Sequence, residues 1–275
     1  MAAAVDVAVE LARRAGDEVV RMRRAGALAV ELKPGDEPVT MADRLASEMI
    51  VAGITAAFPG DPLISEELPP APGAFGASRF WLIDPIDGTK DFIRGNDGFS
   101  IMIGLVENGR PVLGVVHQPT PAGSWRTFYA SPEGAFITTA DGTRPLAVSA
   151  VAHASEAKLV ASVSHRSPKI DEVKSALGIA DEQNVGSVGV KLSLIALGVR
   201  DLYVNPWPKT KAWDTCAPEA ILTRAGGRLT DLFGGPIVYS GELRHPRGLV
   251  ASNGRIHDEV IARIAPLFTG MRDTM

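Results

Sequence analysis

Two aspartates lie three positions apart in the segment Trp81-Leu82-Ile83-Asp84-Pro85-Ile86-Asp87-Gly88-Thr89. The apolar residues before Asp84 predict a buried strand that ends in these two carboxylates and a Gly-Thr turn. Because an unpaired buried carboxylate is very costly, a cation bound by both side chains would remove that cost. The segment therefore predicts a metal site at the end of a strand.

Two more segments place an acidic residue after an apolar run, namely Ile64-Ser65-Glu66-Glu67 and Ala212-Trp213-Asp214. Carboxylate and carbonyl oxygens are hard ligands that suit Mg²⁺ better than zinc. The five histidines are scattered, and none has the spacing of zinc ligands. Several carboxylates at one point would repel one another unless two or more cations lay between them, an arrangement used in phosphoryl chemistry.

The pair Gly88-Thr89 adds a second ingredient. A glycine lets the backbone approach a ligand closely, and a helix beginning at Thr89 would direct unpaired N–H groups at an anion. Carboxylate-held Mg²⁺ beside such a helix start is what the hydrolysis of a phosphate ester requires.

The elements that must position these residues follow from periodicity. Apolar residues at helical spacing predict a helix from Val5 to about Arg24, and Leu28–Leu32 reads as a short strand before a turn at Lys33-Pro34-Gly35-Asp36. Thr40 and Asp43 have the spacing of a capping box, which predicts a helix start near Thr40. The segments Phe99–Val106 and Pro111–Val116 predict a hairpin around Glu107-Asn108-Gly109.

From Lys158 onward strands and helices alternate, which indicates an α/β second half. We place the domain boundary near Val148, giving an α+β subdomain over 1–148 and an α/β subdomain over 149–275 that completes the site. The predicted second-half segments are Leu159–Val163, Ile170–Leu177, Val190–Leu197, Leu202–Val204 and Thr215–Ala225.

The composition excludes several classes of protein. The 275 residues include 28 Lys and Arg and 32 Asp and Glu, a net charge of −4 that argues against coating a nucleic acid. The single cysteine, Cys216, excludes an intramolecular disulfide and fits a reducing cytoplasm. The sequence shows neither the apolar core of a signal peptide nor a membrane-spanning stretch, so we expect a cytoplasmic protein with no membrane partner.

In order and spacing these motifs resemble those of the inositol monophosphatase superfamily. The resemblance covers most of the chain and depends on the following segments: Pro38-Val39-Thr40-Met41-Ala42-Asp43, Ser65-Glu66-Glu67, Asp84-Pro85-Ile86-Asp87-Gly88-Thr89, Gly186-Ser187, Trp213-Asp214-Thr215-Cys216-Ala217-Pro218 and Ala225-Gly226-Gly227. It implies a layered αβαβα sandwich, with metals in the cleft between the two halves, and commonly a homodimer.

The resemblance also implies a mechanism. Glu66, Asp84, Asp87 and Asp214, with the Ile86 carbonyl, would hold two or three Mg²⁺, with Mn²⁺ as the alternative ion. Asp43 and Thr89 would hydrogen-bond the attacking water and help to deprotonate it, and Glu66 belongs to the same catalytic group. Further residues would contact the substrate: the backbone amides of Gly88 and Thr89 at the phosphate, and Ser187.

The substrate class leans toward the 3′(2′),5′-bisphosphate nucleotidase branch, with adenosine 3′,5′-bisphosphate hydrolysed to AMP and phosphate. Gly88-Thr89-Lys90-Asp91-Phe92-Ile93 resembles that branch, as does Lys191, whose charge suits a second phosphate. His165 and Lys211 could contact a nucleotide, or could be a polar loop residue and a surface charge. Inositol 1-phosphate and histidinol phosphate remain alternative substrates.

Structural roles compete with the catalytic ones. Asp84 and Asp87 could cap a strand-end turn, Asp43 could serve only its capping box, and Thr89 and Asp214 could be simple N-caps. Cys216 is expected to be a small packed residue rather than a nucleophile. At the level of the whole chain, the alternative is a catalytically silent metal- or phosphate-binding regulator.

Overall fold

The computed structural model describes residues 1–33, 37–69, 73–120, 124–164 and 166–271. Most of the predicted turn at 33–36, and the predicted substrate contact His165, lie outside these ranges. Within them, no helix is long and apolar enough to cross a membrane.

The first half builds a seven-stranded sheet with two helices on one face. The strands run in chain order across the sheet from β3 to β9; β3 is parallel to β4 and each later pair is antiparallel. A separate two-stranded ribbon, β1 with β2, precedes it. The elements are α1 (Ala2–Arg24), β1 (Glu31–Lys33), β2 (Glu37–Val39), α2 (Met41–Ala57), β3 (Leu63–Ser65), β4 (Arg79–Asp87), α3 (Thr89–Ile93), β5 (Ser100–Glu107), β6 (Arg110–Pro119), β7 (Trp125–Ser131), β8 (Gly134–Thr139) and β9 (Gly142–Pro145).

The second half builds a mixed five-stranded sheet in the order β11-β10-β12-β14-β13. Strand β10 is parallel to both its neighbours, whereas β14 is antiparallel to both of its own. The elements are β10 (Leu159–Ser162), α4 (Lys169–Leu177), β11 (Glu182–Val185), α5 (Val188–Ala196), β12 (Leu202–Asn205), α6 (Ala212–Arg224), β13 (Arg228–Thr230), β14 (Leu249–Ser252) and α7 (His257–Ile264).

Three buried apolar layers hold these elements together. Side chains alternate between the two faces of a strand, and in β4 Trp81 and Ile83 pack toward α1 and α2 while Phe80 and Leu82 pack toward α5 and α6. A third layer lies between the five-stranded sheet and α4 and α7. The order of layers is helix, sheet, helix, sheet, helix, so the predicted αβαβα sandwich is confirmed.

Most predicted elements are found with shifted ends. The predicted strand Leu28–Leu32 was misplaced, because β1 begins only at Glu31 and Ala29 has a positive φ of 42°. The hairpin is confirmed, with Asn108-Gly109 between β5 and β6. The predicted boundary near Val148 falls between the two sheets, although α5 and α6 share one core with the first sheet. The division into 1–148 and 149–275 stays a prediction.

Helix α6 packs unusually close to the first sheet at Gly114. A Cβ atom added to Gly114 in β6 would lie 2.0 Å from the carbonyl oxygen of Ala217 in α6. The neighbouring backbone cannot yield as a flexible side chain would. Glycine at this position therefore sets the distance between the sheet and the helix that includes Asp214.

We predict that Gly114→Ala lowers the free energy of unfolding by about 1–3 kcal/mol, because overpacking forces the helix and sheet apart. Urea denaturation measures the change. Gly60→Ala is the matched control, since a Cβ atom there meets nothing within 4 Å, and a surface substitution of this kind changes stability by no more than about 0.5 kcal/mol. Equal stability of the two variants would contradict the role given to Gly114.

Candidate active site

One cleft is lined by residues of both halves. Nine of the predicted site residues line it: Glu66, Asp84, Ile86, Asp87, Gly88, Thr89, Lys191, Lys211 and Asp214. Two others, Asp43 and Ser187, are buried directly behind its wall, where they hydrogen-bond Thr89 and Asp87. Segments far apart in sequence are thus brought together as predicted.

Strand β4 is longer than the apolar run that predicted it and includes both aspartates. The apolar run stops at Ile83, but the strand continues to Asp87, with an irregular register against β5 between Asp84 and Asp87. This irregularity interrupts the regular pleat. Asp84 and Asp87 are therefore part of the strand and not of a loop that follows it.

Asp84 is the most exceptional of the carboxylates. Its side chain is only 1% exposed, Oδ1 accepts a hydrogen bond of 3.1 Å from the Ile86 amide, and Oδ2 is buried with no hydrogen-bond partner in the part of the chain that the structure describes. Burial, followed by the negative charges of Glu66, Asp87 and Asp214, raises the pKa of Asp84 well above its usual range. A buried oxygen left unpaired in this way indicates a missing electropositive partner.

Asp87 is fixed from the other half of the chain. Its Oδ2 accepts hydrogen bonds from the Ser187 hydroxyl at 2.5 Å and the Gly189 amide at 2.8 Å. Burial raises the pKa of Asp87. Ser187 is the N-cap of α5 and is fully buried, so it lies outside the cleft lining and orients Asp87. The predicted substrate contact at Ser187 stays a prediction.

Asp214 lies in the first turn of α6 but is not the N-cap that the sequence suggested. The N-cap is Lys211, and Asp214 is the third helical residue, whose Oδ2 accepts a hydrogen bond of 2.8 Å from the Lys211 amide. The helix begins earlier than predicted because this capping arrangement forms three residues upstream. Burial, and then the charges of Asp87 and Glu66, raise the pKa of Asp214 well above its usual range.

Glu66 follows β3, and hydrogen bonds of its backbone amide and of its side chain hold it in place. Its amide donates to the Ile83 carbonyl at 3.1 Å, and its Oε1 accepts from Lys33 Nζ at 3.1 Å. Lys33 also pairs with Glu67. Sequence analysis missed Lys33, because nothing in the sequence of β1 shows that it reaches the end of β3.

The chemistry of these donors suits a hard divalent cation. Glu66, Asp84, Ile86, Asp87 and Asp214 all line the cleft, and carboxylate and backbone carbonyl oxygens are ligands of the kind that Mg²⁺ prefers. The residues that the structure describes contain no group of three or more His, Cys, Asp or Glu side chains already placed to hold one metal ion. The unpaired Asp84 oxygen and the mutual repulsion that raises two pKa values both favour bound positive charge.

The predicted pair Asp43 and Thr89 is formed. Thr40 caps α2 and forms the capping box with Asp43, as predicted. Asp43 Oδ2 accepts from the Thr40 amide and hydroxyl, which leaves Oδ1 to accept from the Thr89 hydroxyl at 3.2 Å. That hydroxyl also lies 3.0 Å from the Ile86 carbonyl oxygen. Burial raises the pKa of Asp43, and only Thr89 of the pair lines the cleft.

The turn between β4 and α3 faces the same cleft. Gly88, rather than Thr89, is the N-cap of α3, and its φ of 93° is a conformation that favours glycine. A Cβ atom at Gly88 would also lie 2.6 Å from the Gly98 carbonyl oxygen. The helix begins at Thr89 as predicted, so its first amides have no carbonyl partner within the helix.

Lysines also line the cleft. Lys191 is 1% exposed, donates to the carbonyl oxygens of Val185 and Gly186 at 3.2 and 2.6 Å, and has a pKa lowered to about 8 by burial. Lys211 Nζ lies 3.7 Å from Glu37 Oε2. Sequence analysis missed several lining residues, among them Glu37, Tyr203, Asn205 and Trp207. Cys216 is buried, as expected of a packed residue.

Comparison with known proteins places this cleft in context. Residues 2–267 match the inositol monophosphatase family. The chain is 34% identical over 238 residues to the 3′(2′),5′-bisphosphate nucleotidase CysQ of Shigella flexneri, covering 86% of this chain and 94% of that protein. It is 36% identical over 271 residues to a histidinol-phosphatase of Mycobacterium tuberculosis, covering 94% and 96%.

Among solved structures, an IMPase of Thermotoga maritima superposes with a TM-score of 0.79 at 29% identity, covering 97% of this chain and 98% of that one. The family match, the curated relatives and this fold agree with the motifs found in the sequence. The chain belongs to the inositol monophosphatase family.

Proposed function

We propose that this protein is a Mg²⁺-dependent phosphomonoester hydrolase in which an activated water attacks the phosphate of a small metabolite. The main support is the buried Asp84 oxygen, which has no hydrogen-bond partner among the described residues, in a cleft that Glu66, Asp87, Asp214 and Thr89 also line. The relatives named as a nucleotidase and a phosphatase support the same class of enzyme. Glu66, Asp84, Asp87, Asp214 and the Ile86 carbonyl are the proposed ligands of two or three ions.

When bound, Mg²⁺ acts as a Lewis acid that neutralises negative charge on the phosphate and on the leaving oxygen. The chain itself supplies the proton path. The attacking water donates to the Thr89 hydroxyl oxygen, and the Thr89 proton moves toward Asp43 Oδ1, 3.2 Å away. The raised pKa of Asp43 makes it a better proton acceptor. Asp43 acts through Thr89, because it does not itself line the cleft.

The turn at Gly88 orients the substrate. The backbone amides of Gly88 and Thr89 are the proposed donors to the phosphate oxygens. The remainder of the substrate lies toward the second half of the chain. We propose that the subdomains 1–148 and 149–275 divide these tasks, the first supplying most of the ion ligands and the second supplying Asp214 and three of the cleft lysines, Lys191, Lys209 and Lys211.

The preferred substrate is a 3′(2′),5′-bisphosphate nucleotide such as adenosine 3′,5′-bisphosphate. The cleft is lined by four lysines, Lys90, Lys191, Lys209 and Lys211, and a second phosphate needs positive charge away from the reacting one. The bisphosphate nucleotidase relative points the same way. Histidinol phosphate is the second candidate, because a histidinol-phosphatase is 36% identical over nearly the whole chain.

We predict that Mg²⁺ raises the melting temperature of the wild-type protein by roughly 5–10 °C at about a hundredfold excess over its dissociation constant. Asp84→Asn should shrink that shift and abolish Mg²⁺-dependent phosphate release. Without Mg²⁺ the variant should melt no lower than the wild type, because one repelling charge is gone. Differential scanning calorimetry in EDTA and in Mg²⁺ measures both effects.

Asp258→Asn is the control for Asp84→Asn, since Asp258 is a surface carboxylate paired with Arg228. It should keep the full Mg²⁺ shift. A normal shift and normal activity in Asp84→Asn would refute the proposed ligand set.

We predict that Thr89→Val lowers kcat roughly a hundredfold or more with little change in KM, because the hydroxyl that receives the water proton is lost. Thr89→Ser should keep most of the activity. Thr138→Val, which removes a hydroxyl bonded only to Thr143 on the surface, should behave as the wild type. Steady-state phosphate release gives kcat and KM for the wild type and the three variants. A Thr89→Val variant with wild-type kcat would show that Thr89 is not part of the proton path.

The substrate class is tested by kcat/KM for adenosine 3′,5′-bisphosphate, histidinol phosphate and inositol 1-phosphate at fixed Mg²⁺. We expect the bisphosphate to be the best substrate. A clear preference for either other ester would change the substrate and leave the mechanism intact. If no small phosphate ester releases phosphate with Mg²⁺, the silent metal- or phosphate-binding regulator is the better description.

A further inference from the structure

A buried hydrogen-bond network surrounds the side chain that follows Asp214 in the sequence. It joins Thr215, Tyr239, His245 and Glu219, which are at most 8% exposed and do not line the cleft. A polar group is costly to bury unless it finds a hydrogen-bond partner. Four such side chains together in the interior therefore indicate a specific task, and the proposed reaction uses none of them.

Thr215 is the centre of this network. Its hydroxyl oxygen lies 2.8 Å from His245 Nε2 and 3.0 Å from the Tyr239 hydroxyl. The Tyr239 hydroxyl in turn donates to Glu219 Oε2 at 2.5 Å. The rings of Tyr239 and His245 pack edge to face, with centroids 6.0 Å apart. Because a buried donor or acceptor left unpaired is costly, few other orientations of the Thr215 side chain would satisfy all these groups.

The chain around His245 also holds the backbone at the start of α6. The Ala212 amide donates to the Leu243 carbonyl at 2.7 Å, and the His245 amide donates to the Thr210 carbonyl at 2.8 Å. These main-chain bonds anchor the residues just before Asp214, and the network anchors the residue just after it. The turn that carries Asp214 is therefore held from both sides by the same part of the chain.

Within α6, the turn that includes Asp214 lacks one helical hydrogen bond. Pro218 lies inside α6, and it has no N–H to donate to the Asp214 carbonyl four residues earlier. The bond that would hold Asp214 from within its own helix is thus missing. Contacts from other parts of the fold replace it, and the Thr215 hydroxyl makes two of them.

We propose that Thr215 is a positioning residue for Asp214, and that Tyr239 and His245 act through it to hold the Asp214 carboxylate in place for the ion. This inference rests on the proposed function, in which Asp214 is an ion ligand. The Lys211 amide orients the carboxylate, and the network fixes the turn that carries both residues. Groups that orient a metal ligand from outside contribute to metal affinity. Loss of the Thr215 hydroxyl therefore weakens ion binding without removing any ligand.

Isothermal titration calorimetry of the metal-stripped protein with Mg²⁺ tests this positioning role. We expect Thr215→Val, which keeps the shape of the side chain and removes the hydroxyl, to raise the Mg²⁺ dissociation constant roughly tenfold. Thr215→Ser should keep most of the affinity, and Tyr239→Phe should weaken binding as Thr215→Val does. Tyr129→Phe is the matched control, because Tyr129 stacks on Phe136 and lies outside both the network and the cleft lining.

Two double variants separate positioning from a structural role. If Tyr239 acts through Thr215, Tyr239→Phe should weaken Mg²⁺ binding no further once Thr215→Val is present. If the network acts on Asp214, Thr215→Val should likewise add little to the loss caused by Asp214→Asn. A merely structural network would lower the melting temperature in EDTA and leave the Mg²⁺ dissociation constant unchanged, and additive losses in either pair would refute the path through Thr215 to Asp214.

The outcomes distinguish this inference from the function on which it rests. A wild-type Mg²⁺ dissociation constant in folded Thr215→Val would overturn the positioning role alone and leave the proposed phosphatase intact. If Thr215→Val does not fold, the same result in Tyr239→Phe decides against the role. Absence of Mg²⁺ binding by the wild-type protein would overturn the proposed ion ligands and this inference with them.

Discussion

Repulsion among buried carboxylates is the constraint on which the rest of the structure depends. Asp84, Asp87 and Asp214 all have raised pKa values, with burial as the main cause and, for each, the charge of Glu66 among the others. Helices α2, α5 and α6 begin close to these carboxylates: Asp43 and Asp214 lie in the first turns of α2 and α6, and Asp87 bonds the N-cap of α5. The positive ends of their dipoles offset part of the negative charge, so the fold tolerates an acidic cleft that a loop-built site could not hold.

Helix caps also give the site its geometry. Asp43 and Asp214 are each the third residue of their helix, and in each case one carboxylate oxygen accepts a hydrogen bond from the N-cap amide. The other oxygen is then held in a defined direction. The structural and catalytic interpretations of these residues are therefore not alternatives, because the cap is what orients the functional oxygen.

The sequence was sufficient for the mixed α/β class, the hairpin and the carboxylate segments, because each has a local signature in periodicity, turn residues or acidic residues after apolar runs. The order of the five layers followed from the family resemblance. The sequence was insufficient where the answer depends on a distant contact. Lys33 bonds Glu66 across 33 positions, and the bond from the Ser187 hydroxyl to Asp87 joins the two halves of the chain. The start of α6 was misplaced because an unconventional N-cap, Lys211, precedes the aspartate that looked like one.

The bond between Ser187 and Asp87 joins residues one hundred positions apart. It ties the first turn of α5, in the second half, to a proposed ion ligand on the first sheet. Cation binding and the contact between the halves are thermodynamically linked. If a cation favours this placement of Asp87, it stabilises the contact by the same free energy by which the contact stabilises cation binding. Packing of the two halves against each other and binding of the ion are then a single linked equilibrium. The metal affinity therefore depends on the packing of the whole sandwich.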